Sequence, residues 1–272
     1  MKSQIVLLSL IILLSNLSAQ TLKLEEAETK LEEKFVYNVG WTFLHIGTIT
    51  LSTERLISYP ELVKITMDIK TAPLLPFINI DEHNIAIIRE SDGMTFYYYG
   101  KEKNDRQIVE VINRFYESEN LTVHQVKDCS TGELICIDTI RYNEPYLIGT
   151  SLVNYTRNIA AAGLIKTAPT LLGTKFYPTT LDFCGPVEFV ETEICEEPVR
   201  SFKYTGSAEW EGNATAGLSG DFTGWFSDDS EKVVIYAEME ILLGSIDIEL
   251  SEFYKPGWIP PTSKSLLVQT KK

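Results

Sequence analysis

Residues 221–253 read DFTGWFSDDSEKVVIYAEMEILLGSIDIELSEF, and this stretch decides the fold. Two runs rich in aromatic and β-branched residues, 221–226 and 233–241, flank the segment Ser227–Ser230. Aspartate and serine favour turns because their side chains hydrogen-bond to nearby backbone groups. A third run of the same kind follows Gly244. The stretch therefore predicts consecutive antiparallel strands joined by tight turns.

The same two-residue period recurs through most of the chain before this hairpin. Phe35, Tyr37 and Val39 share one face of such a run, and Asp92-Gly93 is a strong two-residue hairpin signal. Further runs cover residues 46–51, 62–70, 85–90, 94–99, 108–116, 121–126, 175–181, 187–192 and 199–209. Strands at regular spacing joined by turns are typical of a sandwich or a barrel. With no linker long enough to separate two domains, we expect a mainly β fold: one antiparallel, curved, barrel-like or sandwich domain over residues 35–254.

One helix is predicted among the strands. Leu152, Tyr155 and Ile159 recur at helical spacing, and Thr150 or Ser151 can cap the start of the helix. The small residues that follow would let the helix pack closely against a sheet. The tail, residues 255–272, contains several prolines near its start, so it cannot continue the sheet and is expected on the surface.

The N-terminus has the layout of a secretory signal peptide. Lys2 precedes an apolar run, 5–14, which small residues ending at Ala19 follow. Because the run is too short for a stable membrane span, an uncleaved signal anchor is the weaker interpretation. We expect a signal peptide over residues 1–19 and export to the periplasm or the outer envelope. The charged segment 20–34 is expected to form an arm or a short helix.

The charge of the chain excludes two classes of partner. The formal net charge is −14 at pH 7. A chain this acidic has no electrostatic footprint for nucleic acid or for an anionic membrane surface. It is compatible with a solvated surface or with a cationic partner.

The four cysteines form two close pairs, Cys129 with Cys136 and Cys184 with Cys195. In an oxidising compartment an even number of cysteines at short separations indicates disulfides. Three pairings are possible, and the two local ones are favoured. A zinc site is the alternative, but the chain has no C-x-x-C motif and its histidines are distant.

No constellation of residues in the sequence points to catalysis. His45, His83 and His124 are scattered, and the chain has no G-x-S-x-G nucleophile motif. Asp81-Glu82-His83 groups carboxylates with an imidazole, but on a strand only Asp81 and His83 would share a face. Asp228-Asp229 fits a turn better than a pair of catalytic acids, with a loop calcium ion as the alternative. We therefore predict a non-catalytic protein without a cofactor or a metal.

An apolar loop is the strongest candidate for a binding surface. Residues 73–80 read PLLPFINI, whereas the other loops are polar. If buried, the loop fills one end of a curved sheet; if exposed, Leu74, Leu75, Phe77 and Ile78 would form an apolar patch for a ligand or partner. The run 96–99, FYYY, also invites an aromatic binding platform, but alternation predicts Phe96 and Tyr98 on one face and the next tyrosines on the other.

Several motifs resemble a family of exported bacterial proteins. The segments are Gly224–Asp229, Leu243–Leu250, Phe35–Tyr37 with Trp41, and Ile46–Leu51. Taken in their order along the chain, these segments resemble the family catalogued as domain of unknown function number 3108. The resemblance implies a secreted β-rich fold, a curved antiparallel sheet approaching a barrel. It implies no known activity, and the cysteine pairs depart from the family's pattern.

Two functions are compatible with these observations. The first is a binding or carrier module for an apolar small molecule such as a lipid, since a curved sheet with a helix beside it can enclose an apolar cavity. The alternative is a structural or assembly protein of the envelope that acts through contacts with an envelope protein partner.

Overall fold

The computed structural model describes residues 24–42, 44–72, 80–103, 107–210, 220–241 and 244–264. The strands are β1 Thr29–Trp41, β2 Leu44–Leu56, β3 Tyr59–Thr71, β4 Asp81–Arg89, β5 Thr95–Lys103, β6 Ile108–Tyr116, β7 Leu121–Asp128, β8 Leu134–Arg141, β9 Leu147–Ile148, β10 Ile165–Leu172, β11 Lys175–Asp182, β12 Val187–Val190, β13 Val199–Ala208, β14 Gly220–Ser227, β15 Val234–Ile241 and β16 Gly244–Tyr254. Helix α1, Gly149–Ile159, lies between β9 and β10, and a 3₁₀ turn spans Glu117–Glu119. Residues 24–25 and 263–264 are also helical.

The strands form one curved sheet that is not closed. Its order is β8-β7-β6-β5-β4-β3-β2-β1-β16-β15-β14-β13-β11-β10-β9, with β12 paired to β13. All the described pairings are antiparallel except β9 with β10. Strand β1 pairs with both β2 and β16, so it joins the two halves of the chain. The predicted fold class, mainly β and barrel-like with one packed helix, is confirmed.

The inner face of the sheet encloses a single large core. Phe35 on β1, Val111 on β6 and Phe226 on β14 belong to the same cluster of buried side chains. Residues on strands this far apart in the sheet order can share a core only because the sheet curls around it. Aromatic pairs fill much of the core, as where Tyr204 stacks on Phe226 with ring centroids 4.4 Å apart.

A glycine makes room for this stack. A Cβ on Gly224 would lie 2.4 Å from the ring of Tyr204, which pairs with it across β13 and β14. The ring covers the glycine backbone, and any larger residue would force the tyrosine off its partner. The conformation of this predicted hairpin thus depends on a residue that has no side chain.

Helix α1 is held at one end of the curved sheet by a buried ion-pair network. Arg157 donates to both carboxylate oxygens of Glu33 on β1, and Lys255 donates to the same carboxylate at 2.7 Å. The Glu33 side chain is 7% exposed and that of Arg157 10% exposed. The network connects the helix, the first strand and the segment after the last strand.

The start of α1 differs in detail from the prediction. The helix begins at Gly149, after Ile148, and the Ser151 hydroxyl accepts from the Ile148 N–H at 3.1 Å. The same hydroxyl donates to the Ile148 carbonyl at 2.8 Å. Ser151 therefore stabilises the first turn from inside the helix rather than from its boundary.

The charged segment before Phe35 is part of the sheet. Strand β1 already begins at Thr29, because the backbone of Thr29–Lys34 pairs with β2. Ahead of it, Leu24 and Ala27 pack on the outer face of the sheet against a second apolar cluster. Residues 1–23, which include the expected signal peptide, lie outside the described residues.

The tail after β16 packs against the fold. Trp258 is buried and donates to an Asp229 oxygen at 2.9 Å. Arg200 on β13 donates its backbone N–H to the Pro261 carbonyl at 2.7 Å. The prolines end the sheet, and these contacts anchor the described part of the tail to the fold. In the described part of the chain, no helix is long and apolar enough to cross a membrane.

The expected disulfides are not present in the structure, where all four cysteines are free thiols. Cys136 pairs in register with Val126, while Cys129 lies three residues further along and bonds to the start of β6. At about 3.3 Å per residue this separates the two cysteines by about 10 Å along the strands, too far for a disulfide. Cys184 follows β11 and Cys195 lies in the loop after β12; there the Cys195 thiol donates to a carbonyl instead.

Candidate functional site

A cavity of about 350 Å³ lies between the inner face of the sheet and the start of α1. Its walls are mostly apolar, and strands β3 to β7 supply one side. The other side is formed by the β9–α1 junction, the turn between β10 and β11, and Trp210. The lining side chains are Met67, Ile69, Glu82, Asn84, Tyr98, Glu102, Val109, Val111, Asn113, His124, Val126, Ile148, Thr150, Leu171, Leu172 and Trp210.

Polar side chains enter this cavity from four neighbouring strands. Glu82 and Asn84 have the same parity on β4 as the buried Ala86, so they point inward. Strand β5 contributes Tyr98 and Glu102. Strand β6 contributes Asn113, and β7 contributes His124. Because alternate residues of a strand face the same side, each strand places its polar group beside its own apolar wall residues.

Glu82 and Glu102 face each other across β4 and β5. His83 and Lys101 are a registered antiparallel pair; Glu82 precedes His83 and Glu102 follows Lys101, so the two glutamates lie directly opposite. Cross-strand neighbours of this kind have Cβ atoms about 5 Å apart, and like charges there destabilise the sheet. The cavity therefore contains a carboxylate pair at close range.

A chain of hydrogen bonds connects the two carboxyl groups. The Tyr98 hydroxyl lies 3.3 Å from Glu102 Oε1 and 3.2 Å from Asn84 Oδ1. Asn84 Nδ2 in turn approaches Glu82 Oε2 at 3.5 Å. A Cβ on Gly100 would lie 2.4 Å from the Tyr98 oxygen, so the hydroxyl reaches this position only because residue 100 is glycine.

The environment of the pair favours its protonated form. Burial, with a smaller effect of the Glu82 charge, raises the pKa of Glu102 to about 7. Burial also raises the pKa of Glu82, against the opposing hydrogen bond from Asn84. Among the described lining residues there is no lysine or arginine that could neutralise the two carboxyl groups.

His124 and Thr150 complete the polar lining. Both residues are buried, and His124 Nδ1 lies 2.7 Å from Asn113 Oδ1. Burial lowers the pKa of His124, although the charge of Asp138 opposes this. The imidazole is therefore neutral near pH 7. The Thr150 hydroxyl makes no hydrogen bond with the described residues, which leaves it free to contact a bound molecule.

The structure does not describe the apolar loop predicted from the sequence. Leu74, Leu75, Phe77 and Ile78 lie outside the described residues, and both interpretations of the loop stay predictions. The flanking strands end close together, where Thr71 N donates to the Ile80 carbonyl at 3.0 Å.

Three other sequence predictions have a clear outcome. His83 turns to the outer face and contacts Asp68 at 2.7 Å, away from Glu82. The aromatic run alternates as predicted, with Tyr98 in the inner core and Tyr97 in the outer cluster. Asp229 accepts hydrogen bonds from three groups within its own turn, which confirms its role in turn formation.

Glu102, Asn84 and Asn113 were not predicted as candidate residues from the sequence. The signal was present, because each is a polar residue on the inward face of a strand that is otherwise apolar. Its meaning depended on knowing that β4, β5 and β6 are neighbours whose polar positions lie at one level.

Two further depressions are less suited to a ligand. One, of about 590 Å³, is an open groove along the tail, lined by charged residues such as Lys30 and Glu32. The other, of about 180 Å³, surrounds the Glu33–Arg157 network that fixes the helix. Both are dominated by polar groups that serve the structure.

The described lining of the cavity is mainly apolar, with a few polar groups. No serine or cysteine is found among its described lining residues, and His124 is bonded to an amide rather than to a nucleophile. No group of three His, Cys, Asp or Glu side chains able to hold a metal ion occurs in the described ranges. What the arrangement can do is bind: apolar walls with a few convergent polar groups are typical of a small-molecule site.

Comparison with known proteins supports the fold. The chain is similar to the crystal structure of a β-barrel-like protein of Domain of Unknown Function DUF1849 from Brucella abortus. The TM-score is 0.54 at 8% identity, and the match covers 83% of this chain and 98% of that one. No family model and no curated protein matches the sequence. The structural match therefore supports a β-barrel-like fold. No match supports the resemblance to domain of unknown function 3108 in particular.

Proposed function

We propose that this protein is a non-catalytic binding module that holds a small, mainly apolar molecule in the cavity between its curved sheet and helix α1. The observation that carries the proposal is the cavity itself, with apolar side chains on most of its wall and a few polar groups, most of them on strands β4 to β7. Its volume of about 350 Å³ is at the lower end of the range for small-molecule sites. A ligand with one short chain fits this volume better than a lipid with two long chains.

Probe binding with a cavity-filling variant tests this proposal. The uncharged fluorescent probe N-phenylnaphthylamine should bind the purified protein with saturation at one site. Val111→Trp fills the cavity from β6 and should abolish the signal. Ile165→Trp adds the same side chain at an exposed position on β10 and should leave binding unchanged.

Thermal unfolding of both variants shows whether a loss of probe binding comes from unfolding of the protein. If Val111→Trp unfolds, Val126→Phe offers a smaller filling change on β7. Probe that binds equally well to a folded, filled variant would contradict the proposal. Native mass spectrometry of protein isolated from its own cells without detergent would then identify any resident ligand by its mass.

We further propose that the protein acts outside the cytoplasm. The support is the N-terminal pattern of Lys2, an apolar run and small residues up to Ala19. N-terminal sequencing of the protein from its own cells should give a chain that begins at Gln20 or Thr21. A chain that retains Lys2 would contradict export through a cleaved signal peptide.

A second candidate, assembly with an envelope protein, is favoured by the edge strand β8. Leu134, Ile135 and Ile137 are about half exposed there, and the outer edge of β8 has no neighbouring strand in the sheet order. An apolar edge strand of this kind invites pairing with another chain. If it does so, Ile137→Lys should release a co-purifying partner that Ile165→Lys retains.

A further inference from the structure

Most polar groups in the cavity lie on strands β4 to β7, and the charged ones among the described lining residues are acidic. Glu82 and Glu102 stand directly opposite each other on β4 and β5. The other polar lining groups that the structure describes are neutral: Asn84, Tyr98, Asn113, His124 and Thr150. The binding space is therefore apolar over most of its wall and acidic at one place.

We infer that the cavity selects an amphiphile whose polar end is a primary ammonium group, and that it rejects carboxylate and phosphate head groups. This inference rests on the proposed function, since it names the class of molecule that the same cavity would take. An apolar cavity in a barrel-like fold would otherwise suggest a fatty acid, and the charges argue against that ligand.

An anionic head group would meet repulsion that no described lining residue relieves. A third negative charge beside Glu82 and Glu102 would be repelled by both carboxylates, and this repulsion is stronger in a low effective dielectric than in water. With no cation among the described lining residues, the anion would have to be protonated to enter. Each of these routes weakens binding relative to an uncharged head.

An ammonium group matches the donors and acceptors of the site. It carries three N–H donors, and the two carboxylates and the unpartnered Thr150 hydroxyl are acceptors. A charge-assisted hydrogen bond to a carboxylate is about twice as strong as a neutral one. The cation also removes the repulsion between Glu82 and Glu102, which a neutral alcohol leaves in place.

Thr150 is the independent sign that a molecule belongs here. It is 4% exposed, it lines the cavity, and its hydroxyl makes no hydrogen bond with the described residues. Polar groups on buried residues normally have a partner, and the Thr150 hydroxyl faces the cavity without one among the described residues. The hydroxyl comes from the first turn of α1, which forms part of the cavity wall.

Protons are released when such a ligand binds. Near neutral pH part of the Glu102 population holds a proton, because burial raises the pKa of this carboxyl to about 7. An incoming ammonium replaces that proton, which passes to the buffer, so the charge of the site is balanced. The titratable groups that act on Glu102 are Glu82 on β4 and Tyr98 on β5, and His124 on β7 lines the same cavity.

Three ligands with the same ten-carbon chain test the inference: decylamine, decanol and decanoate. Each should be titrated against bound N-phenylnaphthylamine at about pH 8, where the amine keeps its proton and the acid is ionised. We expect decylamine to bind at least about tenfold more tightly than decanol, with decanoate weakest. The preference should shrink as the pH falls below about 6, where the carboxyl pair holds more protons.

Matched variants attribute the preference to the acidic pair. Glu82→Gln with Glu102→Gln should remove the tenfold advantage of decylamine and leave decanol binding unchanged. If this double variant does not fold, Glu102→Gln alone should lower the advantage. Glu110→Gln makes the same change on the outer face of β6, where Glu110 contacts Tyr99, and should have no effect.

The outcomes separate the inference from the function on which it rests. If decanol or decanoate binds as tightly as decylamine, the ammonium selectivity is wrong and the binding function stands. If the preference persists in the double glutamine variant, the acidic pair is not its source and the inference is overturned. If no ligand displaces the probe and the probe itself does not bind, the binding function fails and the inference fails with it.

Discussion

Replacing Glu33 with glutamine tests the buried network that holds helix α1 to the sheet. The Glu33 carboxylate receives hydrogen bonds from Arg157 of the helix and from Lys255 after the last strand. Glutamine has nearly the same shape but no charge. The substitution therefore leaves the two cations buried without their shared counter-charge, and cavity formation does not contribute.

The magnitude follows from the pKa of Glu33. Burial alone would raise this pKa, but hydrogen bonds and charge from Arg157 and Lys255 lower it from 4.5 to about 2. Each tenfold change in proton affinity corresponds to about 1.4 kcal/mol, so the ionised carboxylate contributes about 3 kcal/mol to folding. This agrees with the cost of about 3–5 kcal/mol for breaking a buried ion pair.

The sign fixes the pH window. Because the pKa of Glu33 is lower in the folded than in the unfolded state, its contribution is complete above about pH 5. It is lost progressively as the pH falls toward 2, and about 2 kcal/mol of it has gone by pH 3. Urea denaturation of wild type and Glu33→Gln should give a difference of about 3 kcal/mol at pH 7 and about 1 kcal/mol at pH 3.

The neighbouring Glu32 provides the control. Its carboxylate pairs with Arg55 nearer the surface, where ion pairs contribute less than about 1 kcal/mol. Glu32→Gln should therefore have a small effect at either pH. A stability difference for Glu33→Gln that does not change between pH 7 and pH 3 would refute the assignment to Glu33 ionisation.

Three further substitutions test contacts in the cavity and the core. Gly100→Ala should displace the Tyr98 hydroxyl, destabilise the fold by about 1–3 kcal/mol in thermal unfolding, and weaken probe binding. In urea unfolding, Glu102→Gln should be more stable than wild type by about 3 kcal/mol at pH 8, by less than about 1 kcal/mol at pH 5 and not at all below about pH 4. The reason is that the pKa of Glu102 is raised in the folded state, so ionisation of this carboxyl lowers stability as the pH rises. Tyr146→Phe removes the buried hydrogen bond to Thr122 and keeps the ring, so urea unfolding should register a loss of about 1–3 kcal/mol; no loss would mean that this bond contributes nothing net.

Local patterns in the sequence were enough for the strands and their turns. The run that ends in Trp225-Phe226 and the turn around Asp229 fold as predicted, because alternation and turn chemistry act over a few residues. The opposite faces of Tyr97 and Tyr98 follow from the same period. Helical spacing likewise located α1 within a few residues.

Contacts between residues far apart along the chain could not be predicted from these local patterns. Cysteines 129 and 136 are near in sequence, but the register of β7 and β8 keeps them apart. Glu33 reads as one charge in a charged segment, yet its partners lie 124 and 222 residues away. Such contacts depend on the order of strands in the sheet, which a local pattern does not contain.

The cavity shows the same division between sequence and structure. Alternation alone determined that Glu82 and Asn84 share a face of β4, and that Tyr98 and Glu102 share a face of β5. Only the tertiary structure decided that these faces point inward and that Glu82 stands opposite Glu102. It also brought Thr150 of the helix to the same space. The physical reason is that the position of a polar residue along a strand is a local property, whereas its neighbours across the sheet are set by register and curvature.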